Sequence, residues 1–223
     1  MKSPSNRPTF FVVPATTIIG ALSSTIAGSA VAIVIGALAG LIWGLVVGRI
    51  VYWLGRHKGW REMLAVRSVQ LGVLIATTLF GGSLFAMMQY AFVLSTPEAV
   101  LALMRRPLGG GFTFFVVFNS LMEWLVFPAV LYLNWHHSAR RIQLIVGSVL
   151  YYLSRAWTYL YFVPRVFAFM DVPAGPLNAD VASRVVEWVN LSWIRAAIDG
   201  VVAILFVSAS NRAGVTCERG IGA

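Results

Sequence analysis

From Phe10 to Gly55 the chain is apolar almost without a break. A helix needs about 20 such residues to cross the hydrocarbon of a bilayer, so this run crosses either once, as a long tilted helix, or twice, as a hairpin. Within it Gly20, Ser24, Gly28, Ala32, Gly36, Gly40, Gly44 and Gly48 put a small residue at every fourth position. That strip lets another helix backbone come close and gain van der Waals contact in lipid. A single helix over the run would be about 60 Å, roughly twice the hydrocarbon thickness. The spacing continues through the one polar stretch, SSTIAGS, which favours one long helix from about Thr17. A fold-back, if present, falls between Ser23 and Ser29. Either Gly28, Gly36, Gly40, Gly44 and Gly48 form a docking face for a further subunit, as a homo- or hetero-oligomer, or they pack on the chain's own bundle.

The rest of the chain repeats the apolar theme. Hydrophobic residues make up 59% and charged ones 11%, against about 25% charged in soluble domains, and the mean hydropathy is +0.80. The runs do not alternate as barrel strands would. The expectation is an all-α polytopic membrane bundle with the lipid bilayer as its environment. It divides into an N-terminal glycine-zipper segment with a basic loop (1–65), a four-helix core (66–210) and a disordered tail (211–223). That makes five spans, or six if the first run folds back.

The net charge of +9 is gathered beside the spans. Arg56, His57, Lys58, Arg61 and Arg67 form one cluster, and His136, His137, Arg140 and Arg141 a second. Short basic segments of this kind face the cytoplasm and read as topology signals, not as a nucleic-acid surface. They place the C-terminus on the cytoplasmic side, and the chain reads as integral to a bacterial-type plasma membrane. The one cysteine, Cys217, leaves no thiol pair for redox chemistry. The N-terminus carries no clear cleavage site and reads as retained.

Further expectations follow in chain order. A span covers about 68–94. Ser95 and Glu98, at capping-box spacing around Pro97, start a short interfacial helix. Gly109–Gly111 form a hinge. A span over 112–133 kinks at Pro128, which cannot donate to the Trp124 carbonyl. A span over 142–163 ends at Pro164. A last helix, capped by Asn178, runs to about Ser208.

Four charges fall inside these spans: Glu123, Arg155, Arg195 and Asp199. A charge at that depth costs about 2.5–3.5 kcal/mol or more, so such residues pair and mark functional sites. Arg195 and Asp199, four apart, share a helix face and can pair with each other. Two acids and two bases at one level make a neutral polar site. Asn119, Tyr159, Ser192 and Trp193 lie at the same level as candidates to line a substrate pocket. The histidines sit in loops, so no metal or cofactor is expected, and no nucleotide or hydrolase motif occurs.

The segments LFGGSLFAMMQ (79–89), FVPRVF (162–167) and WVNLSWIRAAID (188–199), with a basic loop before the third of the four core spans, make residues 69–209 resemble the anthrone oxygenase-like family of small four-helix membrane proteins. The resemblance implies cofactor-free oxygenation of a hydrophobic, electron-rich aromatic, in which a base generates a carbanion that reacts with dioxygen. Asp199 or Glu123 would be the base, with Arg155 and Arg195 stabilising the enolate. Two other readings stay open on the residues. One is a non-catalytic partner or assembly subunit using the glycine strip. The other is a proton or solute carrier, for which no inverted repeat is visible.

Overall fold

The computed structural model describes residues 8–54, 58–105, 111–173 and 175–218. Every regular element among them is helical: α1 (Thr9–Ser23), α2 (Ala30–Leu54), α3 (Lys58–Met88), α4 (Pro97–Met104), α5 (Phe112–Leu121), α6 (Phe127–Asn134), α7 (Ser138–Trp157), α8 (Val163–Met170) and α9 (Ala179–Glu218). Single π-turns extend α3 (Gln89–Val93) and join α5 to α6 (Met122–Val126) and α7 to α8 (Thr158–Phe162). Five segments are long and apolar enough to cross a membrane: Thr9–Ala27, Ala30–Leu54, Trp60–Val93, Phe112–Asn134 and Ala179–Arg212. The α7–α8 rod runs as long beside them but carries Arg140, Arg141, Arg155 and Arg165. Large apolar side chains such as Ile204, Ile142 and Leu74 stand on the outer surface, where lipid replaces water.

The N-terminal run is not the single long helix that its spacing favours. A 3-10 turn at Ser24–Ala27 and the left-handed Gly28 (φ 68°) reverse the chain, so α1 and α2 form a hairpin. The small residues are consumed by this reversal. A Cβ on Gly36 would strike Gly20 and Ser24, one on Gly40 the Thr16 backbone, and one on Gly44 the Thr16 hydroxyl; one on Gly48 would meet the Tyr132 ring of α6. The Tyr132 hydroxyl also donates to the Gly44 carbonyl at 3.3 Å. Gly36, Gly40, Gly44 and Gly48 thus face their own chain, not a free docking face, and Gly28 has open space around its Cα.

Other boundaries shift for local reasons. Helix α3 begins at Lys58, so Arg61 and Arg67 sit on its first turns and not in a loop. Thr96, not Ser95, caps α4 by accepting from the Ala99 N–H at 3.3 Å. Gly111 precedes α5 in the left-handed region (φ 72°), while the other two glycines of the expected hinge lie outside the described residues. Pro164 does not end its helix, because the π-turn before it absorbs the missing N–H and the rod continues to Met170. Pro128 follows the same pattern after Met122–Val126. The Trp124 carbonyl that Pro128 cannot serve accepts instead from Trp43 Nε1 of α2 at 2.6 Å. Asn178 caps α9 through the Val181 N–H at 2.8 Å. That helix continues to Glu218, so part of the expected disordered tail is helical; 219–223 lie outside the described residues.

α9 packs along α3 and α7, while α1 and α2 cover α6. Phe127, Tyr151 and Phe206 meet at the centre with ring centroids 5.0 and 5.4 Å apart. At the end carrying the basic segments, Asn134 Nδ2 donates to the Ala65 carbonyl at 3.2 Å and Gln143 Nε2 to Ser208 Oγ at 2.6 Å. These contacts fix helix register without demanding a larger core.

Candidate functional site

Glu123, Arg155 and Arg195 stand near the middles of their rods, and Asp199 lies one turn further along α9. Glu123 sits in the π-turn between α5 and α6, where widening of the ladder re-aims side chains and frees carbonyls. Its backbone carbonyl accepts from the Tyr152 hydroxyl at 2.8 Å. Its carboxylate is 1% exposed and paired with Arg155 Nε. Tyr159 closes the triangle. Its hydroxyl donates to Glu123 Oε2 at 3.1 Å, accepts from Arg155 Nη2 at 3.1 Å, and its ring lies 4.8 Å from the guanidinium. Beside them the Tyr151 hydroxyl donates to Asn119 Oδ1 at 2.8 Å.

Arg195 and Asp199 do not pair as their spacing suggests. Asp199 Oδ2 accepts from Ser83 Oγ of α3 at 2.7 Å. The Arg195 guanidinium lies over the Phe162 ring, 4.4 Å from its centroid, and forms no ion pair among the described residues. A spacing of four permits a pair but does not compel one. Here a neighbouring helix offers Asp199 a hydroxyl and Arg195 an aromatic face.

A cavity of about 400 Å³ opens against this group, within the range of about 300–1,000 Å³ for small-molecule sites. Arg155, Arg195, Tyr159, Asn119 and Ser192 all contribute to its wall, as do Ser83, Tyr90, Thr158, Phe162 and Trp188. Glu123 stands behind Arg155 and Tyr159, and Asp199 behind Ser83. Apolar residues complete the wall, among them Met87 of α3, Met104 of α4, Phe115 of α5, Val166 of α8 and Ala196 of α9. Ser23 and Ile26 show that the N-terminal hairpin forms part of the enclosure. Ile26, Phe112, Val116, Phe167 and Met170 line the cavity and are also exposed on the outer surface, so its mouth faces lipid.

Trp193 is the candidate that does not belong. It is 41% exposed and absent from the wall, because one residue beyond Ser192 turns a helix by about 100°, toward lipid. Ser83, Tyr90 and Phe162 belong to the site but carry no charge that would single them out in the sequence. Among the described residues no group of three or more His, Cys, Asp or Glu side chains could hold a metal ion.

Chemically, the arrangement offers a cation at an apolar wall and two hydroxyls that each connect the cavity to a carboxylate. No family model matches the chain, no curated protein matches it, and no solved structure matches it.

Proposed function

We propose that the chain is an intramembrane enzyme acting on a hydrophobic small molecule whose oxygen carries or develops negative charge against Arg195. One observation supports this most: a guanidinium in the middle of a membrane rod lines a cavity and rests on an aromatic ring, with no ion pair among the described residues. A purely structural arginine at that depth would be expected to pair, given the cost of leaving it alone. Glu123–Arg155 is such a pair.

The reaction that the resemblance implies fits these groups. A C–H conjugated to a carbonyl through an aromatic ring, as in anthrone, loses its proton through Ser83 Oγ to Asp199, or through Tyr159 to Glu123. The resulting enolate oxygen is held by Arg195. Its carbon adds dioxygen, the peroxide takes up a proton, and loss of water leaves a new carbonyl, so CH2 and O2 become C=O and H2O. The partner-subunit reading keeps no dedicated face in the glycine strip, which is filled by α1 and Tyr132. Positive-inside placement would put the basic end and the C-terminus in the cytoplasm.

The test is oxygen uptake and quinone formation from anthrone by the full chain in nanodiscs. Arg195→Ala should lower kcat/KM by about 100-fold or more, and Ser83→Ala should lower kcat. Turnover unaffected by both changes would remove the proposal.

A further inference from the structure

We infer that the acidic group this cavity holds is a carboxyl on an apolar body, drawn from the lipid at the end opposite the basic segments. The inference rests on reading the cavity as a ligand site and is independent of the oxygenation.

Trp188, Ser192 and Arg195 follow one another at steps of four and three on α9, and all three line the cavity. Trp188 is 8% exposed, and its indole Nε1–H has no hydrogen-bond partner. A buried donor left unmatched costs about 1–3 kcal/mol. Trp188 and Arg195 bracket the same ring, at 5.8 and 4.4 Å from the Phe162 centroid. The Ser192 hydroxyl between them is spent on the Trp188 carbonyl at 2.8 Å. The Trp188 nitrogen is closed off from the cavity, so the open donor in this stretch of wall is the Arg195 guanidinium, which has no ion pair among the described residues and wants an acceptor-rich group. A carboxylate has two oxygens with about four lone-pair positions. It can meet the Arg195 guanidinium with both oxygens.

Depth discriminates among anions. A sulfonate or phosphate stays charged and is opposed by the hydrocarbon it must enter. A carboxylic acid arrives neutral, through the mouth formed by Ile26, Phe112, Val116, Phe167 and Met170. It then gives its proton to Ser83 Oγ, which passes its own to Asp199 Oδ2. The acid and the Asp199 carboxylate become a bound carboxylate and a protonated Asp199, so the charge of the site is unchanged. The Arg155–Glu123 pair stands aside from the exchange.

The test is equilibrium binding to the full chain in nanodiscs of zwitterionic lipid, with lauric acid, anthracene-carboxylic acid, methyl laurate, dodecyl sulfonate and anthrone as probes. Both acids should bind saturably, with the ester and the sulfonate weaker by about tenfold or more. Arg195→Gln should weaken the acids by about tenfold or more, and Arg195→Lys, which keeps the charge and loses the two-oxygen fork, by about threefold to tenfold. An ester or sulfonate that binds as tightly as the acid overturns the inference, as does either variant with unaltered affinity. The lysine variant decides the matter if the glutamine one fails to fold. Anthrone turnover without binding of either acid refutes this inference alone, whereas acid binding without anthrone turnover refutes the oxygenation alone.

Discussion

Glu123 has both carboxylate oxygens and its backbone carbonyl engaged, by Arg155, Tyr159 and Tyr152. Replacing it with leucine leaves Arg155 buried beside nothing of opposite charge. The expected loss is about 3–5 kcal/mol, while the double change Glu123→Leu with Arg155→Met should recover most of it. Thermal midpoints in one detergent test this, and a double variant as unstable as the single one would contradict it. A second residue-scale expectation concerns His137, between α6 and α7. Burial, and then Arg140, hold its pKa below the ordinary value, with Glu62 opposing and Arg61 and His136 adding to the lowering. A depressed histidine favours the neutral form in the folded state. Its contribution is therefore complete above about pH 6.5 and is lost as pH falls through the lowered value. His137→Gln should flatten the fall in thermal midpoint between about pH 6.5 and pH 5. The charges at mid-rod were legible in the sequence because lipid makes them rare. Their partners were less so: whether Asp199 turns to Arg195 or to Ser83 depends on how α3 meets α9, and a neutral serine carries no mark of depth.

The two prolines in the site rods act through the π-turns that precede them. Each π-turn inserts a residue without breaking the rod, and the α7–α8 one sets Phe162, Val163 and Val166 against the same cavity as Arg155 and Tyr159. Deleting Leu160, which is exposed to lipid, would restore α-helical register and turn α8 by about 100° relative to α7. Helix content by circular dichroism should be preserved while ligand binding is lost. Retained binding would mean that the π-turn does not set the site. The hairpin offers a second test. Gly40 meets the Thr16 backbone, so Gly40→Leu must part α1 from α2, at about 1–3 kcal/mol or more. It should also weaken binding, since Ser23 and Ile26 line the cavity. The every-fourth-residue strip concealed this turn because two strips meet face to face: Gly20 opposes Gly36, and Thr16 opposes Gly40 and Gly44. Spacing alone does not say whether a strip belongs to one helix or to two that embrace. The sign of reversal was Gly28, whose left-handed backbone ends the 3-10 turn.

Across the whole molecule the rods alternate in direction, α1 up and α2 down, then α3, α5–α6, α7–α8 and α9 in turn. Arg61, Arg67, Arg140, Arg141 and Arg212 therefore gather at one end, where Arg212 Nη1 donates to the Ala139 carbonyl at 2.6 Å. The other end mixes signs: Arg184 pairs with Asp180 at 2.7 Å and Arg165 with Glu187 at 3.2 Å. Orientation follows the basic residues in short flanking segments, so the first end should be cytoplasmic and the cavity mouth, at Phe112 and Met170, should open to the outer leaflet. In a Cys217→Ser background, Ser95→Cys and Asp171→Cys should react with a membrane-impermeant maleimide on intact cells, while Ser138→Cys should react only after permeabilisation. The reverse pattern would turn the molecule over and deliver substrate from the inner leaflet. The hairpin adds one crossing to the single-helix arrangement, so it brings Thr9 to the same side as Arg212. A reporter fused to either end of the chain should then give the same sidedness, and opposite sidedness would mean that the N-terminal run crosses only once in the membrane.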